Sequence, residues 1–485
     1  MKRAIKHHLM LVGREKEINT LQSLLISDES ELVSVIGRRR VGKTFLVQSV
    51  YAERIAFEIT GIQHASLKEQ LEHFSIVLSL AAKSNLPLEK PKSWLEAFRM
   101  LILYLENTSG ADKRVVFFDE MPWLATHRSG FLNAFGFFWN SWAVKNNIVV
   151  VICGSAASWM IQKVVHHKGG LYNRITKRIQ LQPFSLHETE LFLQKKGLKF
   201  NRAQIAELYM AFGGIPHYLK EIQQGESVSQ NIDRICFESG GILHDEFDQL
   251  YPSLFDQSDN HIAVVRALST TWSGLTRSEI IRISKLTNGG GLTKTIEELM
   301  YSGFITEYLP FGRIKREMVY RLTDEYSLFY LKFIETMRKE GAGIWKSFYL
   351  SPAYRAWSGY AFESICLKHL PEIKKALGIS GIFSSSSAFY HKGTDGMEGC
   401  QIDLLIDRED RVINLCEIKW AASEFIISKS YAEALRKKLG LFTYYSKTKK
   451  QVFLTFISTY GLLPNEHSTG IVDNNITLND LFSGV

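Results

Sequence analysis

The run Gly37-Arg38-Arg39-Arg40-Val41-Gly42-Lys43-Thr44 sets two glycines around a basic stretch and ends in lysine and threonine. That spacing suits a loop whose backbone N–H groups converge on phosphate oxygens, with the positive end of the following helix adding to the attraction. Lys43 would reach the β- and γ-phosphates of a nucleotide, and Thr44 would ligate Mg²⁺. Nucleotide contacts are expected along the whole segment from Gly37 to Phe45. Such a loop needs an acid at the end of a neighbouring strand, and VVFFDE at 115–120 supplies two. Asp119 is the expected metal ligand, and Glu120 the group that polarises the attacking water.

A second chemical cluster lies near the C-terminus. QIDLLID at 401–407 and VINLCEIKW at 412–420 read as strands joined by a polar turn at Glu409-Asp410-Arg411. A hairpin centred on Asp410 sets Asp403 opposite Glu417, and the period of two puts Lys419 on the face of Glu417. Facing carboxylates are destabilising unless something compensates them. A divalent cation would do so, with help from Lys419. The other face pairs Ile402 with Ile418 and Leu404 with Cys416, which makes a core.

Positioning these groups requires particular elements. ELVSVIG before the phosphate loop, VVFFDE, and IVVVICGS at 148–155 are apolar strands that alternate with helical stretches, one of them starting near Thr44. This is an α/β pattern with a parallel sheet covered on both faces. Residues 11–30 read as a short strand followed by a helix. From Leu181 the pattern turns helical, punctuated by Gly213-Gly214 and Pro216. Residues 262–323 give three helices, with glycines 289–291 before the third, then two short strands joined by a turn at Gly312. That is a winged-helix order. Its recognition helix, from about Thr293, would offer Lys294 and Glu298 beside the acidic Glu297. Arg313, Lys315 and Arg316 on or near the wing complete a phosphate-contacting set. A purely packing role is the alternative. From Trp345 a last αβ segment carries the helix YAFESICLKHL, a serine-rich loop at 384–387, the hairpin, and a further helix and strand. The serines and the HKGTDG loop need no function.

The 485 residues suggest about three domains. Hydrophobic residues at 45% and charged residues at 22% exclude a disordered chain, a collagen and a disulfide-stapled miniprotein. The five cysteines are scattered without a CxxC pair, which argues against a disulfide framework or zinc ribbon and for a reducing cytoplasm. The basic N-terminus meets Arg14 and Glu15 before any apolar core of signal-peptide length, and no stretch is long enough for a membrane span. A net charge of +8 is compatible with a nucleic-acid partner.

LVGREKE, GRRRVGKT, FFDEMPWL, CGSAASWM, LYNR and GGIPHYL follow one another across about residues 10–225. In this order they resemble the archaeal-type AAA ATPases, a STAND-like branch of the P-loop ATPases. The resemblance implies that Val12, Gly13 and Arg14 lie near the adenine, and that Ser155 is a sensor-like polar residue. It makes Arg174 of LYNR the arginine that senses or stabilises the γ-phosphate, where a cation is chemically valuable. GGIPHYL would begin a helical lid, with His217 a packing residue. The C-terminal order of GYAFESI, QID and EIK resembles the restriction-endonuclease-like (PD-(D/E)xK) superfamily, although isoleucine stands where proline precedes the aspartate. That resemblance implies that Glu363, Asp403 and Glu417 hold one or two Mg²⁺ and that Lys419 orients water or stabilises charge.

The expected layout is a P-loop ATPase core at 1–180, a helical lid at 181–240, a winged helix at 241–335 and an endonuclease-like domain at 336–485. The expected function is ATP binding and hydrolysis with Mg²⁺, coupled to DNA binding or metal-dependent cleavage. The alternative is a regulatory NTP switch that recognises a protein partner through a non-catalytic nuclease fold. An Arg174 acting in trans would imply a homo-oligomer.

Overall fold

The computed structural model describes residues 11–84, 88–108, 112–161, 163, 173–255, 257–393 and 398–484. The signal-peptide reading of residues 1–10, Leu171-Tyr172 of LYNR and residues 394–396 of HKGTDG fall outside these. Contacts divide the chain into two compact units, Met1–Gln182 and Pro183–Val485. Apart from Leu181 and Gln182, the segments expected as lid, winged helix and endonuclease-like domain fall in the second.

In the first unit, α1 (Glu15–Leu25) leads to β1 (Glu31–Ile36), α2 (Lys43–Tyr51) and β2 (Ile55–Thr60). Then come α3 (Leu67–Ala81), α4 (Trp94–Asn107), β3 (Arg114–Asp119), α5 (Phe131–Ser141), β4 (Ile148–Gly154) and β5 (Lys177–Gln180). Residues 11–14 enter α1 without forming the expected strand: Arg14 already has a left-handed backbone and caps the helix. The five strands form one parallel sheet in the order β2-β3-β4-β1-β5. All seven residues of β4 are buried, as are five of six in β1 and in β3. A sheet covered on both faces requires such continuous apolar strands. An aromatic layer of Trp94 and Phe98 from α4 with Phe131, Phe135 and Phe138 from α5 covers Phe118 of β3.

The second unit opens with α6 (Leu186–Lys195), α7 (Arg202–Phe212) and α8 (Val228–Cys236). Each starts at a capping box, in which Ser185, Asn201 or Ser227 exchanges hydrogen bonds with the residue three positions on. There follow α9 (Ser258–Leu268), β6 (Leu275–Thr276), α10 (Arg277–Ser284), α11 (Gly290–Tyr301), β7 (Ile305–Tyr308) and β8 (Val319–Leu322). The three short strands make an antiparallel sheet in the order β6-β8-β7.

The last stretch holds α12 (Pro352–Lys368), α13 (Leu370–Ala376), β9 (Ser384–His391), β10 (Cys400–Arg408) and β11 (Val412–Lys419). It ends with α14 (Lys429–Ser446), β12 (Gln451–Ser458) and β13 (Asn474–Thr477). The serine run is therefore a strand, where a loop was expected: β9 pairs antiparallel with β10, and the ladder supplies the hydrogen bonds that serine propensity alone does not predict. The sheet order is β13-β12-β11-β10-β9, antiparallel through β9-β10-β11 and parallel through β11-β12-β13. A parallel pair needs a crossover, and α14 provides it. Its Ala432, Leu435 and Phe442 pack on Ile402, Leu405, Ile413 and Leu415.

Candidate functional sites

β1 ends at Ile36, and the phosphate loop carries the chain into α2. Gly37 has a steric reason to be glycine: a Cβ there would stand 2.4 Å from the carbonyl oxygen of Leu181. Arg40 and Gly42 both adopt positive φ, 72° and 93°, which folds the loop back over the helix start. Lys43 is buried, and its Nζ donates to the carbonyls of Gly37 at 2.8 Å and Arg38 at 3.0 Å. Thr44 Oγ1 donates to Asp119 Oδ2 at 2.8 Å, so the two expected Mg²⁺ ligands stand side by side.

Glu120 leaves β3 in a left-handed conformation (φ 46°, ψ 50°) that is uncommon for a non-glycine residue. Its carboxylate accepts two hydrogen bonds from Ser155, one from the backbone N–H at 2.9 Å and one from Oγ at 2.8 Å. The sheet order accounts for this contact. β4 lies between β1 and β3, so the residue after β4 emerges between the phosphate loop and the acidic strand end. Arg14 is buried and donates to the carbonyl of Gln182 at 2.6 Å, and Val12 is buried nearby in sequence. Arg38 and Val41 are buried, while Arg39, Arg40 and Phe45 are partly buried. Arg174 is exposed on the turn before β5.

In the second unit, β10 and β11 pair from Asp407–Ile413 to Leu404–Cys416. This is the expected register, and Asp403 and Glu417 lie one step beyond it. There β10 breaks register with β9 between Ile402 and Leu405. A bulge of this kind re-aims a side chain. Asp403 accepts from Gln401 Nε2 at 3.0 Å and lines a cleft of about 590 Å³ together with Tyr308, Arg321 and Tyr390. Glu417 is 6% exposed. Its Oε1 accepts from the Tyr431 hydroxyl at 2.5 Å and pairs with Lys419 at 2.9 Å, and its Oε2 pairs with Lys438 at 2.6 Å. Burial alone would raise the Glu417 pKa, but Lys438, Lys419 and the Tyr431 hydrogen bond overcome it and hold the group down at about 2. Glu363 of α12 is pushed up to about 7, by burial first and then by the charge of Asp403. Arg321 of β8 is buried and reaches Ser364 Oγ at 3.1 Å, next to Glu363.

Residues 11–222 match a family described as an ATPase domain predominantly from Archaea. The chain carries an archaeal-type ATPase domain. An uncharacterized protein of Methanocaldococcus jannaschii, MJECL04, is 24% identical over 435 residues, 88% of this chain and 92% of that one. Among solved structures, the Walker-type ATPase PABY2304 of Pyrococcus abyssi is similar at TM-score 0.49 and 20% identity, covering 67% of this chain and 96% of its own. The ORC2 protein of Aeropyrum pernix is similar at TM-score 0.40 and 12% identity, covering 68% and 95%.

Within the ATPase domain, the fold brings together Gly37 to Thr44, Asp119, Glu120 and Ser155, while Arg174 has no hydrogen bond or ion pair among the described residues. In the second unit, no group of three His, Cys, Asp or Glu side chains that could hold a metal ion is found among the described residues. Glu363, Asp403 and Glu417 lie close enough for their charges to interact, and Glu417 is paired with two ammonium groups. Lys438, Tyr431 and Arg321 escaped the sequence reading. The first two sit seven residues apart in KSYAEALRKKLG, on one helical face with Leu435. That periodicity marks a face without saying which strand it covers. Arg313, in the turn between β7 and β8, is also committed, to Glu317 at 3.1 Å and to the carbonyl of Tyr390 at 3.5 Å.

Proposed function

We propose that this protein binds and hydrolyses ATP and uses its nucleotide state to control the engagement of nucleic acid by its C-terminal unit. The observation that carries the reading is the connected set Lys43, Thr44, Asp119, Glu120 and Ser155 within the ATPase domain. Lys43 would exchange its loop carbonyls for β- and γ-phosphate oxygens. Thr44 and Asp119 fit Mg²⁺, a hard cation held by few protein oxygens, since their oxygens lie side by side. The ion would neutralise charge on the phosphates. Glu120 would take the proton of the attacking water, and Ser155 aligns its carboxylate for that step. Arg174, exposed, is the candidate for sensing the γ-phosphate, in cis or from a second copy.

For nucleic acid, the support is the element order from α9 to β8 with its antiparallel sheet, which reads as a winged helix, and the endonuclease-like order from α12 to β13. Binding without cleavage is favoured at the second site, because Glu417 is already paired with Lys419 and Lys438. This also keeps the regulatory switch as the second reading. The test is fluorescence anisotropy of labelled single- and double-stranded oligonucleotides with ADP, with a non-hydrolysable ATP analogue and without nucleotide, beside plasmid cleavage in Mg²⁺ or Mn²⁺. An affinity that changes several-fold with the nucleotide supports the proposal. No binding in any nucleotide state retires nucleic acid as the partner and leaves the switch with a protein partner. Cleavage that disappears in Glu417→Ala would restore the nuclease.

A further inference from the structure

Two lysines compensate the charge of Glu417 without a metal. The geometry is most explicit at Glu417. Each of its oxygens holds one lysine, at 2.9 Å and 2.6 Å, and the Tyr431 hydroxyl takes a further lone pair. A divalent ion placed on this carboxylate would meet two ammonium groups within contact distance of the same oxygens, and like charges at that range repel strongly in a partly dry site. The lysines differ from their anchor in exposure. The Glu417 side chain is 8% exposed, whereas those of Lys419 and Lys438 are 37% and 31% exposed. A buried carboxylate thus holds two cations whose outer faces reach solvent. An ammonium has three donors, so each lysine can keep Glu417 and still donate to a further anion. A phosphate oxygen is the natural acceptor for such a pair of point charges.

We infer that the C-terminal site takes a nucleic-acid phosphate directly on Lys419 and Lys438, with Glu417 as their buried strut and no divalent cation between them. The inference rests on the nucleic-acid reading of the preceding section and assigns that reading its contact point. Arg321 and Tyr431 are positioning residues here. Arg321 reaches Ser364, the neighbour of Glu363, from the winged-helix-like segment, and Tyr431 fixes the Glu417 carboxylate from α14.

Two measurements on the full chain test it, both in a Lys43→Ala background that removes the nucleotide site. Electron paramagnetic resonance counts bound Mn²⁺, and anisotropy follows a labelled single-stranded oligonucleotide in EDTA. The expected result is that Glu417→Gln leaves the Mn²⁺ count unchanged and that the oligonucleotide binds in EDTA. Lys419→Gln and Lys438→Gln should each weaken that binding about tenfold and lower the slope of log affinity against log salt by about one. Lys438→Arg should restore most of the loss, which a folding defect would not show. The inference is overturned if one Mn²⁺ binds, is lost in Glu417→Gln, and is needed for the oligonucleotide. It is also overturned if both lysine variants bind in EDTA with the wild-type salt slope, or if low-millimolar inorganic phosphate displaces the oligonucleotide completely, which would make a free phosphate the ligand. If nucleic acid fails to bind with or without metal, the proposed function falls as well.

Discussion

Lys43 and Glu120 sit in one site and do separable work. In the proposed reading Lys43 would neutralise phosphate charge in the ground state and in the transition state, so Lys43→Ala is expected to abolish binding of a fluorescent ATP analogue. Glu120 would act on the water, so Glu120→Gln should retain that binding while slowing hydrolysis by about 10²–10⁴-fold, the usual value of a positioned base. Phosphate release and analogue binding measured side by side separate the two roles. Wild-type turnover in Glu120→Gln would remove the base assignment. Ser155 depends on Glu120 for its meaning: it offers two donors to a carboxylate, and the glutamine variant keeps only an acceptor oxygen and a competing donor in their place.

Between elements, the junction of α12 with α6 is a pH-sensitive contact. His369 is buried just after α12, where Nε2 accepts the first-turn amide of Leu186 at 3.1 Å and Nδ1 donates to the carbonyl of Ile365 at 2.8 Å. The neutral tautomer is required, because a protonated ring could not accept from Leu186. Burial lowers the pKa from 6.5 to about 4. A base with a depressed folded pKa takes up its proton more readily when unfolded. Its stabilising contribution is therefore complete above about pH 6.5 and declines as pH falls toward 4. The total loss is on the order of 3 kcal/mol. A His369→Gln variant, which can keep one acceptor and one donor, should flatten that part of the stability curve. Urea titrations at a series of pH values give the comparison. An unchanged midpoint slope between pH 6.5 and 4 would show that His369 is not the titrating group.

At the scale of the whole molecule, the turn between β7 and β8 is built into the C-terminal sheet. Phe311 donates its amide to the carbonyl of Ala388 at 2.8 Å, and its ring lies 5.7 Å from Phe442 and 6.5 Å from Phe389. A turn held in this way acts as a dock, and Arg313 within it bonds inside the protein. Phe311→Ala should destabilise the second unit by about 2 kcal/mol, below a fully buried phenylalanine because the ring is only partly covered. It should also expose cleavage sites between β8 and α12 to limited proteolysis. A digestion pattern and unfolding midpoint equal to wild type would mean that the dock contributes nothing.

What is local and periodic can be read from the residues alone. The phosphate loop, the apolar strands, the acids ending β3 and the pairing of Leu404 with Cys416 all follow from spacing, because a period of two and a tight turn leave a hairpin few registers. Packing in three dimensions sets what depends on strands and helices far apart in sequence. It sets β4 between β1 and β3, which brings Ser155 to Glu120. It makes a strand of a serine run that a neighbour pairs. And it lays α14 across β11, so that Lys438 and Tyr431 reach Glu417. No spacing rule links a strand to the helix that will cover it, since packing of whole faces chooses that partner, and here the choice sets Lys438 against Glu417.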